Sequence, residues 1–493
     1  MKKMLIAVIL ILIVANILGF LTMFNIARAA LLTKLETPFS EKDETIVITI
    51  NNSNLLDVTE ELANHVWKVY GEHLKVKAYD PGFYAWGVQY EIRALLNLYL
   101  LTGNKTWLEK ALERIDFLIN YSDVNGDGVP SWGNYNETYG SPGYEYYEWS
   151  VWDGLISFSI LRACLMILNN EELRSNSTLY FKAISYLNLV KSVIDSWHSC
   201  WTEVSPEMGY YWTTKQADIH GPVMNQFSAL GLTELLLYDI TNDTKYLLRP
   251  TAMARYLKKN LSFMNKAKAY TWTYSAYGNI EDISHGAIEV RFMVMCYERG
   301  IVFTKDDMEF LANTYKRLIW RGELEFPKLN TYIGGGLSTD YSSNARGWTL
   351  LSRYSPLVWL YQVLNYCEII RRKKGSSACF VLGLTELLLY RQYLRDLAED
   401  ALKECKERYD ALDYLSKKLV NLLGGHLVKK AKEDFLNAKY MGSLTSSRHF
   451  LELIRKSIFI SMLLSIIVAL NTALIAYIIL QGIGSSREDL RPV

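Results

Sequence analysis

The sequence predicts an all-α fold built from paired helices, and three observations lead to that prediction. Apolar residues recur with a period of about 3.6 along most of the chain between its two ends, which is the repeat of an amphipathic helix. Short polar turns and Gly- and Tyr-rich loops separate these periodic stretches. Strand-like alternation is confined to TIVITI at residues 45–50. Helices are therefore predicted at residues 57–71, 85–102, 105–119, 149–168, 179–197, 222–240, 244–261, 285–299, 305–320 and 346–370.

Some of the predicted helices form pairs that recur along the chain. LYLLTGNKTWLEKA at 98–111 is similar to LYDITNDTKYLLRP at 237–250, and in both a helix ends before a turn typical of a C-cap followed by an N-cap. The octapeptide GLTELLLY also occurs twice, at 231–238 and 383–390. Two antiparallel helices with a short loop form a hairpin, and a series of hairpins must bury its faces against neighbours. Such a series forms either an open solenoid or a closed ring.

The composition narrows the class of protein and its partners. The chain has 493 residues, 50% of them hydrophobic and 21% charged, which fits one large repeat-built domain with appendages. A net charge of +1 gives no electrostatic reason to expect nucleic acid as a partner. Aromatic residues make up 13%, including 34 Tyr and 13 Trp. They serve either a large helical core or a surface that stacks on flat ligands such as sugar rings.

Both ends of the chain carry an apolar stretch long enough to span a bilayer, at 4–24 and 458–480. The first follows Lys2 and Lys3, so the N-terminus is expected inside and the long middle exported. The small residues after it also fit a cleavage site, so an anchor and a signal peptide both stay open. The predicted divisions are a signal anchor or signal peptide at 1–30, an exported domain at 31–375, a helical stalk at 376–456, a transmembrane helix at 457–482 and a short cytoplasmic tail at 483–493.

Acceptor triplets for Asn-linked glycans agree with export and predict a glycoprotein. They begin at Asn51, Asn104, Asn120, Asn136, Asn176, Asn242 and Asn260. We therefore expect a protein of the cell membrane, in contact with the lipid bilayer and with most of its chain extracytoplasmic. The stalk carries an apolar stripe along a predicted helix, and self-association into a homo-oligomer through this stripe is a further expectation.

Two stretches resemble a known superfamily. GPVMNQFSALGLTELLLYDITNDTKYL at 221–247, followed by YTWTYSAYGNIEDISHGAIEVRFMVMCYERGIVFTKDDMEFLANTYKRLIW at 270–320, is similar to the helix-and-loop succession of the six-hairpin, (α/α)-toroid glycosidases. The stretches resemble more distantly the helical domain of glucuronyl C5-epimerases and some polysaccharide lyases. The resemblance covers roughly residues 60–370. It implies a closed (α/α) toroid whose loops at one end line a glycan-binding cleft.

The loop EDISHG, which starts at Glu281, is the leading candidate for chemistry. Its simplest interpretation is structural, because Asp282 or Ser284 caps the following helix. The same geometry places Asp282, His285 and Tyr274 at the mouth of the predicted ring as catalytic candidates. Helical spacing puts His285 beside Glu289, which we expect to hold its imidazole in one tautomer. A metal site that joins His285 to Cys296 is excluded, because the two lie about 16 Å apart along a helix.

Other residues complete the candidate site for a polysaccharide or surface glycan. Hydrolysis needs two facing carboxyls, whereas a uronate lyase or epimerase needs a Tyr or His base. The sequence supplies both sets, so both reactions stay open, as does a non-catalytic glycan-binding or envelope-scaffold protein. Further catalytic candidates are Asp153 and Asp218. The predicted substrate-binding residues are Trp149, Trp152, Tyr147, His220, Asn225, Trp272 and Glu281.

DVNGDGVPSWGN at 123–134 is similar to a calcium-binding loop. Asp123, Asn125 and Asp127 stand at the first, third and fifth positions, and the Val129 carbonyl stands at the seventh. The twelfth position holds Asn134 instead of the bidentate glutamate of an EF-hand. A structural Ca²⁺ and a simple turn are therefore the two alternatives for this loop, and no other cofactor is predicted.

Overall fold

The computed structural model describes residues 52–135, 146–216, 221–275, 278–322, 327–336, 338–339, 343–372 and 377–412, with shorter pieces between 416 and 454. The chain divides into a unit of Ile50–Tyr390 and a second unit of Met1–Thr49 with Arg391–Val493. Several predicted features lie outside the described residues. They are the strand at 45–50, both membrane segments, Asp218, His220, Asn51 and Asn136.

The Ile50–Tyr390 unit is a succession of helices. They are α1 (Asn52–Val76), α2 (Pro81–Phe83), α3 (Gln89–Thr102), α4 (Lys105–Ile119), α5 (Ser150–Asn169), α6 (Glu171–Ser175), α7 (Ser177–Ser196), α8 (Met224–Thr241), α9 (Lys245–Lys259), α10 (Ile283–Glu298), α11 (Lys305–Asn313), α12 (Pro356–Arg371) and the first part of α13 (Ala378–Asp410). A π-helical turn, Tyr84–Val88, leads into α3, another, Thr314–Ile319, extends α11, and a 3₁₀ segment spans Ser343–Arg353. Most predicted helices agree within a few residues.

Six of these segments form a closed inner ring. Helix α3 packs on α5, α5 on α8, α8 on α10, and α10 on the 3₁₀ segment. The Tyr390 hydroxyl donates to the Ser352 carbonyl at 2.6 Å, which joins the 3₁₀ segment to α13. Asn97 on α3 then donates to the Thr385 hydroxyl on α13 at 3.0 Å, so the last segment meets the first. Helices α1, α4, α7, α9, α11 and α12 alternate with the inner segments along the chain, which makes six hairpins.

Local sequence explains how these hairpins turn and pack. Gly103 ends α3 at a φ of 69°, and Asn104 then caps α4 by accepting from the Thr106 amide at 3.1 Å. Asn242 ends α8 at a φ of 55°, in the left-handed region that Asn tolerates. Gly154 allows close packing inside the ring, since a Cβ there would lie 2.5 Å from the Ala229 carbonyl carbon.

Helix α5 is an inner helix despite its membrane-like composition. Among the described residues it is the one helix long and apolar enough to cross a bilayer, and 78% of its most apolar window is buried inside the protein. The apolar face that a bilayer would otherwise cover is packed against α3, α7 and α8.

Three expectations about the fold are corrected. Short antiparallel hairpins occur beyond residues 45–50: β1 (Trp201–Ser205) with β2 (Met208–Tyr211), β3 (Ser262–Met264) with β4 (Ala269–Thr271), and β5 (Leu329–Asn330) with β6 (Ser338–Thr339). Their strands are too short to show a clear period of two. The helix expected at 346–370 is split before Pro356, because proline disfavours helical backbone in the residue before it. The ring continues to Tyr390, past the stalk boundary expected at 376.

The unit that contains Arg391–Val493 has a small apolar cluster of its own. Cys405 is buried against Val420, Leu427 and Ile454. The Cys405 thiol donates to the Ser447 carbonyl at 3.4 Å. Part of the apolar stripe of the stalk is thus covered by the same chain. Self-association through the stalk stays a prediction.

Candidate active site

The loop before α10 is fixed by its backbone. The Ile283 amide donates to the Thr331 carbonyl at 2.9 Å, and the Ile333 amide donates to the Glu281 carbonyl at the same distance. Asp282 is the N-cap of α10, and its Oδ1 accepts from the amides of Ser284 at 2.7 Å and His285 at 3.0 Å. The structural role expected of Asp282 is therefore present. This capping role uses only Oδ1, one of the two carboxylate oxygens of Asp282.

The second oxygen of Asp282 faces a histidine. Asp282 Oδ2 lies 2.6 Å from His285 Nδ1, and Glu281 Oε1 lies 3.8 Å from the same nitrogen. Because side chains on a helix point back towards its N-terminus, His285 meets residues 281 and 282, and the expected pairing with Glu289 is replaced by this one. With Nδ1 as the donor, Nε2 is left for another group, and no described residue bonds to it.

The charges of this pair stabilise each other. Burial raises the pKa of Asp282, but the hydrogen bond from His285, the charge of His285 and the capped amides outweigh it and leave that pKa below its ordinary value. Burial alone disfavours an imidazolium, but the hydrogen bond to Asp282 and the charges of Asp282 and Glu281 raise the pKa of His285 above its ordinary value. The side chains of His285 and Asp282 are 31% and 29% exposed, so solvent reaches both.

A pair of buried carboxyls lies behind the Asp282–His285 pair. Glu281 and Glu289 are 1% and 0% exposed, and each carboxyl influences the pKa of the other. Burial, followed by the charge of the neighbouring Glu281 carboxyl, raises the pKa of Glu289 well above its ordinary value. Trp272, predicted to bind substrate, is instead buried and donates through Nε1 to Glu289. Glu281 and Trp272 therefore support the loop from within.

Two aromatic rings lie close to His285. The Tyr274 ring centroid lies 5.4 Å from that of His285, and the Trp86 ring lies 5.7 Å away and edge-on. Trp86 is 38% exposed, which leaves part of its face open to a ligand. The sequence does not predict Trp86, because it lies in a helical run far from the loop and only ring closure brings it near. A Trp among apolar helical residues normally indicates core.

Hydrogen bonds join the start of α8 to the loop before α10, and the start of α5 to that of α8. The Met224 amide donates to the Tyr274 carbonyl at 3.1 Å, which joins the start of α8 to the loop before α10. The Ser150 hydroxyl donates to Gln226 at 3.2 Å, which joins α5 to α8. Asn225 lies between these contacts but is 1% exposed, so it is part of the packed base of this end of the ring.

The structure places four further predicted site residues, which begin or precede α5, in the interior. Asp153 is 0% exposed and accepts from the Ser131 hydroxyl at 2.8 Å, the Trp132 amide at 2.9 Å and Trp197 Nε1 at 2.8 Å. These donors make Asp153 an anchor for the loop before α5. The aromatic residues predicted beside it are also buried: Tyr147 at 2%, Trp149 at 9% and Trp152 at 8% exposed.

Two arrangements offer ligand atoms of the kind that metals use. One atom each of Glu281, Asp282 and His285 lie within 4.8 Å of one another, but hydrogen bonds within the cluster already engage them. In the predicted calcium loop, Asp123 accepts from the Gly128 amide at 3.1 Å and Asp127 from the Val129 amide at 2.8 Å. Asn125 Nδ2 donates to Asp127 at 2.8 Å, and Asn134 pairs with Tyr147. Ca²⁺ binding stays a prediction.

No family model and no curated protein matches the chain. Among solved structures, an inactive variant of an α-1,6-mannanase of glycoside hydrolase family 76 from Salegentibacter, in complex with α-1,6-mannotriose, is similar with 12% identity and a TM-score of 0.43, over 68% of this chain and 98% of that chain. A family 76 glycoside hydrolase from Bacteroides thetaiotaomicron has 12% identity and a TM-score of 0.40, over 62% and 68%. A protein from Listeria innocua has 12% identity and a TM-score of 0.40, over 62% and 84%.

Proposed function

We propose that the protein is a carbohydrate-active enzyme that hydrolyses glycosidic bonds in a polysaccharide, with the loop before α10 at its active site. The observation that carries the proposal is the partly exposed Asp282–His285 pair, joined at 2.6 Å. The rings of Trp86 and Tyr274 lie close to the His285 ring, at 5.7 Å and 5.4 Å. Aromatic faces stack on sugar rings, and glycoside hydrolysis needs a proton donor on one side of the scissile bond and a carboxylate facing it. We assign the donor role, which a carboxyl usually has, to His285.

The pKa directions favour hydrolysis over removal of a proton from a uronate. A base must be unprotonated at the working pH, whereas the pKa values of both His285 and Tyr274 are raised, the latter mainly by burial. A protonated His285 instead donates from Nε2 to the leaving oxygen. Asp282, which stays ionised, supplies negative charge to an oxocarbenium-like transition state. Asp218 is our candidate from the sequence for the carboxylate on the opposite side of the sugar, where it takes a proton from the water that forms the new bond to the anomeric carbon.

The test is a product analysis with the full-length chain. Neutral glycans, with α-1,6-mannan among them, and uronate-containing glycans are incubated with the protein. We expect new reducing ends without unsaturated sugars. The variants His285→Gln and Asp218→Asn should lose this activity, and His198→Gln should keep it, because His198 lies in the 3₁₀ turn that follows outer helix α7. Unsaturated ends or stereochemical change without cleavage would replace hydrolysis by elimination or epimerisation. Inactivity across the panel would remove the enzyme class.

We also propose that the ring acts outside the cytoplasm and is held at the membrane by the apolar stretches at 4–24 and 458–480. The acceptor residues Asn104, Asn176 and Asn242 support the proposal, because all three are exposed at turns that lead into outer helices. Membrane vesicles of known orientation provide the test. A protease added outside right-side-out vesicles should degrade the ring, and protection of the ring there would contradict export.

A further inference from the structure

A tyrosine lies directly across the backbone from Asp282. Asp282 and Tyr332 face each other in an antiparallel bridge, and the two hydrogen bonds of this bridge, at 2.9 Å each, belong to the residues on either side of the pair. Asp282 and Tyr332 are therefore a non-hydrogen-bonded pair, the arrangement that brings opposite side chains closest, with Cβ atoms about 4.5–5.5 Å apart. The backbone of Asp282 is extended, with a φ of −86° and a ψ of 164°, as such a pair requires.

Burial alternates along the bridge and shows which way its side chains point. Glu281 and Ile283, which flank Asp282, are buried. Ile333, which follows Tyr332, is buried as well. The side chain of Asp282 is 29% exposed, and Tyr332 is 36% exposed. Because successive side chains of an extended chain point to opposite faces, Asp282 and Tyr332 share the face that solvent reaches.

A glycine-rich turn holds Tyr332 in place. The Gly335 amide donates to the Tyr332 carbonyl at 3.1 Å, and Gly335 and Gly336 have φ values of 92° and 126°, which residues with a side chain rarely adopt. Gly334 lets the turn approach the loop before α10, since a Cβ there would lie 3.0 Å from Ile280 Cδ1. A Cβ at Gly336 would lie 3.5 Å from Tyr332 Cδ2, so the turn packs against one edge of the ring.

The exposure of Tyr332 brings a second open aromatic ring to the candidate active site. Trp86 contacts His285, and Tyr332 is the neighbour of Asp282. Trp86 belongs to the π-helical turn before α3, whereas Tyr332 belongs to the loop before the 3₁₀ segment, so two separate parts of the ring supply the two rings. No described residue bonds to the Tyr332 hydroxyl. An aromatic ring with an open face and a polar tip is suited to the apolar face and the hydroxyl groups of a sugar.

We propose that Tyr332 binds a sugar ring of the substrate in a subsite next to the reacting bond, on the side of Asp282. The inference rests on the proposed function, because it takes the Asp282–His285 pair as the place of the chemistry. Tyr332 moves no proton in it. Its ring packs on the sugar equally in the bound state and in the transition state, so its loss weakens binding and leaves the rate of the bound complex largely unchanged.

Steady-state kinetics with the full-length chain test this subsite. The probes are α-1,6-mannotriose, cellotriose and a galacturonate trisaccharide. On the probe that is cleaved, Tyr332→Ala should raise KM about tenfold and change kcat by less than about threefold. Tyr332→Phe keeps the ring face and should stay within about twofold of the wild-type KM. The matched control is Tyr180→Ala, which should leave KM unchanged, because Tyr180 is 37% exposed on outer helix α7.

Calorimetric binding of the same trisaccharides separates this proposal from the hydrolase activity. If no probe is cleaved but Tyr332→Ala alone weakens binding about tenfold, the subsite stands and the hydrolase proposal fails. Cleavage with the same KM in wild type and Tyr332→Ala overturns the subsite and leaves the hydrolase in place. An equal rise of KM in Tyr332→Phe and Tyr332→Ala overturns the stacking contact, and a fall in kcat alone overturns the binding role. Neither binding nor cleavage of any probe overturns both proposals.

Discussion

Two inner helices of the ring, α5 and α10, each have an aspartate in or just before the first turn, and the surroundings of the two aspartates differ. Asp153 on α5 is fully buried and accepts hydrogen bonds from Ser131, Trp132 and Trp197. Asp282 before α10 is 29% exposed and shares one oxygen with a partly exposed histidine. The two environments therefore differ in solvent access and in the kind of partner: Asp153 is surrounded by fixed neutral donors, whereas Asp282 faces a titratable group that solvent reaches.

The largest expected effect concerns Asp282. The variant Asp282→Asn should lower kcat/KM on the glycan identified by product analysis by about 10³-fold, within the range of general acid–base contributions. The loss of stability should be at most about 1 kcal/mol, because Asn keeps the helix cap and an ion pair between partly exposed side chains contributes little. Initial rates and thermal melting measure the two quantities. Asp243→Asn is the matched control, since Asp243 accepts from the Lys245 amide in an exposed turn. Full activity in Asp282→Asn would remove this pair from the mechanism.

The second prediction concerns Asp153, where we expect a loss of stability without a loss of activity. Asp153→Asn should lower the free energy of unfolding by about 3 kcal/mol, because a neutral amide cannot accept from all three buried donors and an unsatisfied buried group costs about 1–3 kcal/mol. Activity per folded molecule should be retained. Urea denaturation measures the loss. Asp116→Asn is the control, because the Asp116 side chain is 45% exposed, and it should cost less than about 1 kcal/mol. A stable but inactive Asp153→Asn would contradict the comparison between the two aspartates.

Sequence reasoning locates the helices better than the site, and the reason is physical. Helical periodicity and caps are local, so α4, α5 and α8 are predicted nearly at their observed bounds. The loop of Asp282 and His285 is found because its acids and capping residues are adjacent in sequence. Burial of Asp153 depends on Trp132 and Trp197, which local patterns do not connect to it. The position of Trp86 beside His285 likewise depends on closure of the ring.

The stalk boundary shows the same limitation. The sequence pattern assigns GLTELLLY at 383–390 to the stalk, although the identical octapeptide at 231–238 is placed in the ring domain. The structure places both copies on inner helices, α13 and α8. The copy on α13 contributes Glu386, which contacts Arg93 and Arg291 across the ring. The charged residues after 376 are typical of a surface helix. The sequence pattern does not reveal the ion pairs of Glu386, because Arg93 and Arg291 lie on other helices, far away in sequence.

The third prediction concerns the carboxyl pair behind the site. Burial raises the pKa of Glu289, so the folded state holds a proton that the unfolded state releases above the ordinary glutamate value of 4.5. Stability from this group is therefore full below pH 4.5 and is lost as the pH rises towards the folded pKa. The loss is about 1.4 kcal/mol for each pH unit that separates the folded pKa from the unfolded one. Glu289→Gln should remove this decline, since the amide stays neutral and still accepts from Trp272.

Urea denaturation of wild type and Glu289→Gln measures this difference, at values from about pH 5 to about pH 8. His285→Gln is the control, because the pKa of His285 is also raised and its own contribution is lost as the pH rises above its ordinary value of 6.5. The difference between wild type and His285→Gln gives the contribution of the histidine to the pH dependence of the free energy of unfolding. Subtraction of this difference leaves the contribution of the carboxyl pair. Parallel pH profiles for wild type and Glu289→Gln would show that Glu289 is ionised in the folded protein.

The smallest expected effect concerns the loop at 123–134. If it binds Ca²⁺, the ion adds ligand-dependent stability to a turn whose two aspartates already accept backbone amides. We expect saturating Ca²⁺ to raise the melting temperature of the full chain by about 2 °C over a chelator control. Asp127→Ala should abolish the rise, and Asp306→Ala, an exposed acid at the start of α11, should leave it unchanged. Equal melting with Ca²⁺ and with chelator would leave the loop as a turn, because the twelfth position lacks the bidentate carboxylate that closes such sites.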